Sequence, residues 1–488
     1  MRLYNNLTFS LLLITSVALA QKKTAKSTIA PKETFVPELL AKMTLEEKIG
    51  QLNLPTSGDI TTGQANSSNI AKKIEEGKVG GLFNIKSVQK IKEVQKIAVE
   101  RSRLKIPLLF GMDVIHGYET TFPIPLGLSC TWDMNLIKRS AQIAAQEASA
   151  DGINWTFSPM VDISRDPRWG RISEGSGEDP YLGSQIAKAM VSGYQGDDLM
   201  KNNTILSCVK HFALYGAPEA GRDYNTVDMS KIRMYNDYLP PYKAAIDAGT
   251  ASVMASFNEI DGIPATGNKW LLTDLLRKDW GFKGFVVSDW GSINEMIAHG
   301  YAKDSKHAAE IAVNAGSDMD MESYAYVTYL KKLIEEGKVK EADVEDAARR
   351  ILRTKFELGL FENPYKYCDE TYEKTTVGKK EFHDGVLEVA KKSIVLLKNE
   401  NDVLPLPKTG KKIALIGALA NDKTSPLGSW RIGADDETAV SVLEGMEAYV
   451  GNQLSFAKGT NVATGRTEFM WETKINTSDN SEFSKAIA

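Results

Sequence analysis

The sequence predicts an α/β protein in which a TIM-like (β/α)8 barrel is followed by an incomplete α/β sandwich domain. Three observations support this prediction. Short apolar segments alternate with helical periodicity over residues 35–361, which is typical of βα units around a parallel sheet. A linker of mixed polarity follows at residues 362–382, and a second α/β pattern occupies residues 383–488. The chain of 488 residues is also too long for one ordinary domain.

The N-terminal residues have the pattern of a secretory signal peptide. Met1-Arg2 precede a largely apolar run that ends at Ala18-Leu19-Ala20, a typical small-residue cleavage site. The run is too short to cross a bilayer, and no cysteine follows it to carry a lipid anchor. We therefore expect residues 1–20 to be removed and the protein to be periplasmic or secreted.

Composition and charge exclude several classes of partner. The hydrophobic content of 42% and the charged content of 25% are those of a folded globular protein. The net charge of −4 is small for this length, and no basic stripe is present, so a nucleic-acid partner is not expected. No later segment is apolar for long enough to insert into a membrane.

The sequence predicts no metal and no cofactor. The five histidines are scattered, and none forms an H-x-x-x-H pair. No phosphate-binding loop of the G-x-x-x-x-G-K-[ST] type occurs. The cysteines are odd in number and widely spaced, which indicates free buried thiols rather than a disulfide framework. They are Cys130, Cys208 and Cys368.

The first domain contains seven predicted strands, whereas a closed barrel of this class needs eight. One strand is therefore missed, or the barrel is irregular. Helical stretches lie between the strands, for example Lys138–Ala150, whose apolar residues fall on one face. The predicted strands are Gly80–Asn84, Ile106–Gly111, Trp155–Pro159, Ile205–His211, Ser252–Ser256, Gly284–Ser288 and a short segment near Asp318–Met321.

The second domain begins with a predicted helix at Val386–Ser393. The segments Ile394–Leu397 and Ile413–Gly417 are predicted strands, and Gln453–Phe456 is a possible third. So few strands cannot form a sheet that is covered on both faces, and the chain ends as a helical pattern begins at Ser481–Ala488. We therefore expect this domain to be cut short on its C-terminal side.

The predicted strand Gly284–Ser288 leads into the most informative residues of the chain. Asp289 follows the strand, and Trp290 follows Asp289. The catalytic face of a parallel α/β barrel lies at the carboxyl ends of its strands. Asp289 is therefore a candidate nucleophile, and Trp290 offers a ring on which a sugar can stack. The alternative is that Asp289 caps a helix after the strand, since aspartate favours that position.

Other predicted strands also end in polar side chains, which makes a shared site at this face more convincing than a single ending would. Asp113 follows one strand, a loop containing Arg168 follows another, and Lys210 and His211 end a third. Carboxylates and charged donors suit sugar hydroxyls, and Trp290 suits the face of a sugar ring. These residues therefore predict a carbohydrate site.

Structural alternatives exist for the basic residues in this set. Lys210 and His211 can instead form a buried ion-pair network that holds the top of the barrel. Arg168 and Arg171 can brace their loop against acidic neighbours, an interpretation that fits Arg171 best. The acidic neighbours are Glu174, Glu178 and Asp179.

These residues lie in segments that resemble glycoside hydrolase family 3, in particular its bacterial periplasmic β-glucosidase branch. The resemblance extends from about residue 35 to the end of the chain, and the segments occur in the order that the family has. They are Gly111–Gly117, Thr121–Pro125, Phe157–Asp162, Arg165–Arg171, Gly177–Tyr181, Val209–Phe212 and Val287–Asp289.

The resemblance implies a retaining, exo-acting β-glucosidase in which Asp289 forms a covalent glycosyl-enzyme. It also implies the residues that bind the sugar at the cleavage subsite and those that form its wall. The binding residues are Asp113, Arg168, Lys210 and His211, the wall residues are Met254, Phe257 and Trp290, and Arg222 lies in a loop that approaches the sugar.

A retaining mechanism also needs a second carboxyl about 5–5.5 Å from the first, acting as acid and then as base. In this branch of the family it is a glutamate from a later loop of the second domain, and the chain ends before that segment. Glu219 and Glu259 are alternatives that match no acid/base position of the family. The expectation is a chain that binds glucosides well and hydrolyses unactivated ones slowly.

Three other functions are compatible with the sequence. A β-xylosidase or an enzyme of mixed specificity would keep the fold, although Asp113 suits the O4 and O6 hydroxyls of a hexose. The second is a non-catalytic sugar-binding fragment, and a phosphate-dependent enzyme of the same fold is the most remote. The β-N-acetylglucosaminidase branch is disfavoured because residues 213–218 lack its His-Asp pair. The expected partner is an oligosaccharide or β-glucoside, and the oligomeric state is open.

Overall fold

The structure is a computed structural model that describes residues 30–56, 69–465 and 473–488. The predicted signal peptide at residues 1–20 lies outside the described residues. The observed fold is α/β. The strands are β1 (Asn53–Leu54), β2 (Gly81–Phe83), β3 (Leu109–Met112), β4 (Trp155–Thr156), β5 (Cys208–Phe212), β6 (Ser252–Ala255), β7 (Glu259–Ile260), β8 (Ile263–Pro264), β9 (Phe285–Ser288), β10 (Asp320–Met321), β11 (Ile413–Ile416), β12 (Leu454–Ala457), β13 (Ala463–Thr464) and β14 (Lys474–Ile475).

Helices separate most of these strands. They are α1 (Lys32–Lys42), α2 (Leu45–Gln51), α3 (Ile70–Glu75), α4 (Val88–Lys96), α5 (Pro125–Ser129), α6 (Met134–Ala150), α7 (Pro180–Gln195), α8 (Lys231–Arg233), α9 (Pro240–Asp247), α10 (Ser292–Ala298), α11 (Ser305–Ala315), α12 (Ala325–Glu335), α13 (Glu341–Glu357), α14 (Glu370–Thr376), α15 (Lys380–Ser393), α16 (Val442–Val450) and α17 (Phe483–Ile487). Wider π-helical turns occupy Ile97–Arg101, Met234–Tyr238 and Trp270–Asp279.

The strands of the first domain that carry the site pair in parallel. Strands β2, β3 and β4 form one sheet, β5, β6 and β9 form another, and β1 pairs with β10. Single parallel bridges connect these groups, from Thr56 to Phe83, from Trp155 to Leu206 and from Val287 to Met319. The carboxyl ends of these strands therefore lie at one face, as parallel pairing requires.

Strand β1 is one of the strands that the sequence did not predict. Its two residues pair with Asp320 and Met321 of β10, and the side chain of Asn53 donates a hydrogen bond to the carbonyl oxygen of Lys78 at 2.9 Å. A two-residue strand directly after helix α2 has too little length for an alternating pattern. Only the pairing partner, more than 260 residues away in the chain, defines it.

Large side chains fill the space between the strands. The ring centroid of Trp155 lies 4.9 Å from that of Phe157 and 5.1 Å from that of Phe285, in edge-on contacts. Its indole Nε1 donates to Ser252 Oγ at 2.8 Å. Gly111 faces these rings, since a Cβ there would lie 2.7 Å from Phe157 Cζ. The strand ends are thus held by a packed aromatic layer beneath the site.

The second domain has fewer regular elements. Strands β11 and β12 pair in parallel, so the predicted strands at Ile413–Gly417 and Gln453–Phe456 correspond to observed strands. The predicted helix at Val386–Ser393 forms the C-terminal part of α15. The predicted strand at Ile394–Leu397 is wrong, because this segment is irregular and its side chains are exposed, Leu397 by 91%. Apolar β-formers alone do not make a strand without a pairing partner.

No helix within the described ranges of the chain combines the length and the apolar character that a bilayer crossing requires.

Candidate active site

Asp289 lies immediately after strand β9 and is buried, with 8% of its surface exposed. Its Oδ1 accepts a hydrogen bond from the backbone N–H of Trp290 at 2.7 Å. Among the residues that the structure describes, Oδ2 has no hydrogen-bond partner. Helix α10 is capped by Gly291 and receives no side-chain cap. The alternative interpretation of Asp289 as a helix cap is therefore wrong.

The charge of Asp289 is set by opposing influences. Burial raises the pKa of Asp289 from 3.8 to about 6, and the Asp113 carboxylate adds to this rise. Arg171, Lys210 and the Trp290 N–H act in the opposite direction. The carboxylate is consequently ionised at neutral pH, but its charge is poorly solvated and Oδ2 is free to react.

Lys210 within strand β5 and Asp113 directly after strand β3 form an ion pair. Lys210 Nζ donates to Asp113 Oδ1 at 2.8 Å, and the side chain of Lys210 is only 2% exposed. A buried ammonium beside a carboxylate is a stable arrangement because each charge compensates the other. The pair presents an acceptor and a donor side by side, which suits two adjacent hydroxyls of a sugar.

His211 is fully buried between Asp162 and Asp289. Its Nδ1 lies 2.8 Å from Asp162 Oδ2, and its Nε2 lies 3.7 Å from Asp289 Oδ2 and 2.8 Å from Arg171 Nη2. Burial, with the charges of Arg171 and Lys210, holds the pKa of His211 well below its usual value. The neutral ring therefore donates from Nδ1 to Asp162 and accepts at Nε2 from Arg171.

Arg171 is the arginine that the fold brings to this cluster. Its Nε and Nη2 donate to Glu174 at 2.8 and 3.1 Å, and its side chain is 14% exposed. Burial alone would raise the pKa of Glu174, but Arg171 holds it below its usual value. The sequence predicted that Arg171 only braces its loop. It does brace against Glu174, and it also reaches His211.

Arg168 lies elsewhere. Its side chain is 69% exposed and forms an ion pair with Asp166, Nη2 to Oδ2 at 2.6 Å. The structure therefore does not bring Arg168 to the cluster around Asp289, contrary to the expectation from the sequence. The two arginines are three residues apart in an irregular loop, where neither periodicity nor spacing indicates which one faces inward.

Aromatic side chains surround the cluster. Phe257 is buried, with its ring centroid 4.8 Å from that of Tyr224 and 5.8 Å from that of Tyr215. Trp290 is 39% exposed and meets Phe83 edge-on at 5.2 Å. Met254 is buried on strand β6. An exposed ring beside a buried carboxylate is suited to stacking on a sugar.

Arg222 follows the short turn at Glu219–Gly221 and is exposed. The next residue, Asp223, accepts a hydrogen bond from Trp169 Nε1 at 2.9 Å. Glu219 is exposed in the same turn, and Glu259 pairs with His299, Oε1 to Nδ1 at 2.9 Å. Within the part of the chain that the structure describes, none of these three residues forms a hydrogen bond with the carboxylate of Asp289.

Two further residues were missed by the sequence analysis. Trp430, from the second domain, lies with its ring centroid 5.3 Å from Lys210 Nζ and 5.8 Å from Arg171 Cζ. Glu295, on helix α10, has its pKa raised to about 7 by burial and then by the charges of Asp289 and Asp223. Neither follows a strand of the first domain, so no strand-end pattern could have indicated them.

Residues 30–56, 69–465 and 473–488 contain no cluster of three or more His, Cys, Asp or Glu side chains suited to a metal ion. The buried carboxylate, the cations and the aromatic rings together form an arrangement suited to a carbohydrate, the class of site that the sequence predicts.

Comparison with known proteins agrees with this class. The chain matches the glycosyl hydrolase family 3 N terminal domain over residues 44–354 and the C-terminal domain of that family over residues 394–486. The chain belongs to glycoside hydrolase family 3.

Individual relatives are similar over most of this chain. A periplasmic β-glucosidase from Salmonella typhimurium is 44% identical, covering 92% of this chain and 59% of the relative. A putative β-xylosidase from Formosa agariphila is 35% identical, covering 83% of this chain and 56% of the relative. The solved structure of a mutant β-glucosidase from Listeria innocua in complex with laminaribiose superposes with a TM-score of 0.84 at 40% identity, covering 90% of this chain and 61% of that one. The chain thus spans about three fifths of the length of these proteins.

Proposed function

We propose that this chain carries the glycone site of a retaining, exo-acting β-glucosidase that removes terminal β-D-glucosyl residues. The observation that carries the proposal is Asp289, a buried carboxylate with an unbonded Oδ2 directly after a strand and facing Lys210, His211 and Arg171. The β-glucosidase relative from Salmonella typhimurium supports the same activity. The substrate is an oligosaccharide or a β-glucoside.

The proposed fold is a TIM-like (β/α)8 barrel at residues 35–361, a linker at residues 362–382 and an α/β sandwich domain from residue 383 onward. Support for the barrel comes from the parallel strands, which follow one another through pairs and bridges from β1 to β10, with β10 beside β1. A periplasmic or secreted location is proposed from the signal pattern at residues 1–20, and the periplasmic relative supports it.

In the proposed mechanism Asp289 Oδ2 attacks the anomeric carbon of the bound glucosyl residue. The bond from this carbon to the leaving oxygen breaks as the bond to Oδ2 forms, and an activated leaving group departs as its anion. Water then attacks the anomeric carbon, the bond to Oδ2 breaks, and glucose with retained configuration and the Asp289 carboxylate are released, while the proton lost by the water passes to solvent. Lys210 and Asp113 hold ring hydroxyls. The charge of Arg171 favours the ionised form of the nucleophile, and neutral His211 holds Arg171 in place by accepting its hydrogen bond at Nε2. Arg171 takes the role that the family resemblance suggested for Arg168.

The walls of the proposed site come from both domains. Trp290 offers its exposed face, and the family resemblance assigns the buried Met254 and Phe257 to the wall. Trp430 lies over Lys210 and Arg171, so we include it in the glucosyl site. The exposed Arg222 remains an expectation from the resemblance.

Covalent trapping tests the proposed function. A 2-fluoro β-glucoside with an activated leaving group is expected to form a stable adduct on Asp289, located by peptide mass mapping. The fluorine slows the second step, and the activated group leaves without acid assistance, so the test needs no acid/base residue. A folded chain that forms no adduct would exclude the retaining mechanism at Asp289.

The acid limb of kcat/KM is expected near pH 6. Attack requires the Asp289 carboxylate, and its pKa in the free protein is about 6. Below that pH, kcat/KM falls about tenfold per pH unit as the carboxylate gains a proton. Above that pH, Asp289 is ionised and its titration no longer changes kcat/KM. Measuring kcat/KM for an activated aryl β-glucoside checks this. A profile that stays flat well below pH 5 would contradict it.

β-Xylosidase activity is the second candidate, favoured by the relative from Formosa agariphila. A xyloside lacks the O6 hydroxyl, so it loses any contact that Asp113 makes there. Comparing kcat/KM for aryl β-glucoside and aryl β-xyloside in the wild-type chain and in Asp113→Ala separates the two. The glucosidase proposal expects Asp113→Ala to lower activity on the glucoside more than on the xyloside.

A further inference from the structure

His116 lies in the loop after strand β3 and is buried, but none of the roles assigned above uses it. Its Nδ1 is 2.8 Å from the carbonyl oxygen of Phe122, and its Nε2 is 2.6 Å from the carbonyl oxygen of Ser429. Both partners are carbonyl oxygens, which only accept hydrogen bonds. The ring therefore donates at least one of these bonds, and its imidazolium form donates both.

The Ser429 contact joins the first domain to the second. Ser429 belongs to a segment, residues 428–433, that we call the tryptophan loop because it carries Trp430. Gly428 begins the loop at a φ of +80°, and a Cβ there would lie 3.1 Å from His116 Cε1. Lys86 Nζ donates to the Gly433 carbonyl oxygen at 2.6 Å. Hydrogen bonds to the Ser429 and Gly433 carbonyl oxygens therefore attach both ends of the tryptophan loop to the first domain.

We propose that His116 is a positioning residue that holds the tryptophan loop so that Trp430 stays over Lys210 and Arg171. The inference rests on the proposed glucosyl site. The residue that His116 holds directly, Ser429, is the immediate neighbour of Trp430, so a shift of this carbonyl moves the ring. The two ring nitrogens of His116 are both engaged by backbone carbonyl oxygens, so His116 acts through Trp430.

Two substitutions at His116 separate its two contacts. The amide nitrogen of asparagine replaces Nδ1 and that of glutamine replaces Nε2. His116→Asn is expected to keep the Phe122 bond, lose the Ser429 bond and raise KM for an activated aryl β-glucoside about tenfold with little change in kcat. His116→Gln is expected to restore KM to near the wild-type value. Gly428→Ala, whose Cβ would displace the loop, is expected to resemble His116→Asn.

A double-mutant cycle tests whether His116 acts through Trp430. In a Trp430→Ala background, His116→Asn is expected to change KM by less than about twofold, because the ring it positions is gone. A change in KM as large as in the wild-type background would overturn the proposal. So would a fall in kcat without a change in KM, or a His116→Gln variant no better than His116→Asn.

A fluorescence measurement keeps this inference separate from the proposed function. The part of the emission due to Trp430 is obtained by difference from Trp430→Phe. Its quenching by acrylamide is expected to increase in His116→Asn and to stay at the wild-type level in His116→Gln. This readout needs no turnover. Unchanged quenching in His116→Asn would overturn the inference, whereas absence of an adduct on Asp289 would overturn the proposed function alone.

Discussion

Asp289→Ala is expected to lower kcat/KM for an activated aryl β-glucoside by at least about 10⁴-fold, the scale on which loss of a covalent nucleophile acts. Glucose binding is expected to change only a few-fold, because Lys210, Asp113 and His211 remain. Steady-state kinetics and titration with glucose measure the two effects. Their separation distinguishes an enzyme from a protein that only binds sugar.

Azide provides the control for a folded but inactive variant. It is small enough to enter the space left by the carboxylate, and attack from that side is expected to produce α-glucosyl azide from the activated glucoside.

The Asp289→Ala variant should also be no less stable than the wild-type chain at neutral pH. Burial raises the pKa of Asp289 above its unfolded value, so ionised Asp289 destabilises the fold as pH rises from about 4 to about 6. Equal loss of glucose binding and catalysis in Asp289→Ala would argue against the assignment.

Removing Arg171 is expected to have the second largest effect. The variant Arg171→Gln/Glu174→Gln removes both members of the buried ion pair, so no unpaired charge is left behind. We expect kcat/KM to fall about 100-fold, the scale of losing one fixed electrostatic contact at a reacting group. Because Arg171 lowers the pKa of Asp289, the acid limb of the pH profile should also move to higher pH.

Arg168→Gln is the matched control for this variant. The side chain of Arg168 is largely exposed and pairs with Asp166, and an exposed ion pair contributes little because water and salt screen it. The kcat/KM of Arg168→Gln is therefore expected to stay within about twofold of the wild-type value. The pH at the midpoint of its acid limb is expected not to move. The opposite pattern, a large loss in Arg168→Gln and a small one in the Arg171 variant, would restore the assignment suggested by the sequence.

The tertiary structure explains why these two arginines could not be told apart in the sequence. Both lie in the segment Arg165–Arg171, which contains no regular element up to that point. Arg171 faces inward because Glu174 is buried and accepts from it, and because His211 of a neighbouring strand presents Nε2. These partners become visible only when strand β5 is placed beside the loop.

Unlike the two arginines, the site residues at the ends of apolar runs could be predicted from the sequence. Asp289, Lys210, His211 and Asp113 each directly follow or end an apolar run, and parallel pairing brings the carboxyl ends of such runs to one face. The sequence therefore predicted a carbohydrate site at this face, and the resemblance of its segments separately indicated the family. The site at the strand ends could be predicted because a strand and the residue that follows it are both recognised from consecutive residues.

What only the tertiary structure decided depends on contacts between distant residues. The two-residue strand β1 exists because β10 pairs with it, and the apolar segment Ile394–Leu397 is irregular despite its composition. Trp430 reaches Lys210 from the second domain. The physical reason is the same in each case: pairing, burial and orientation are set by the partner, and the partner lies far away in the chain.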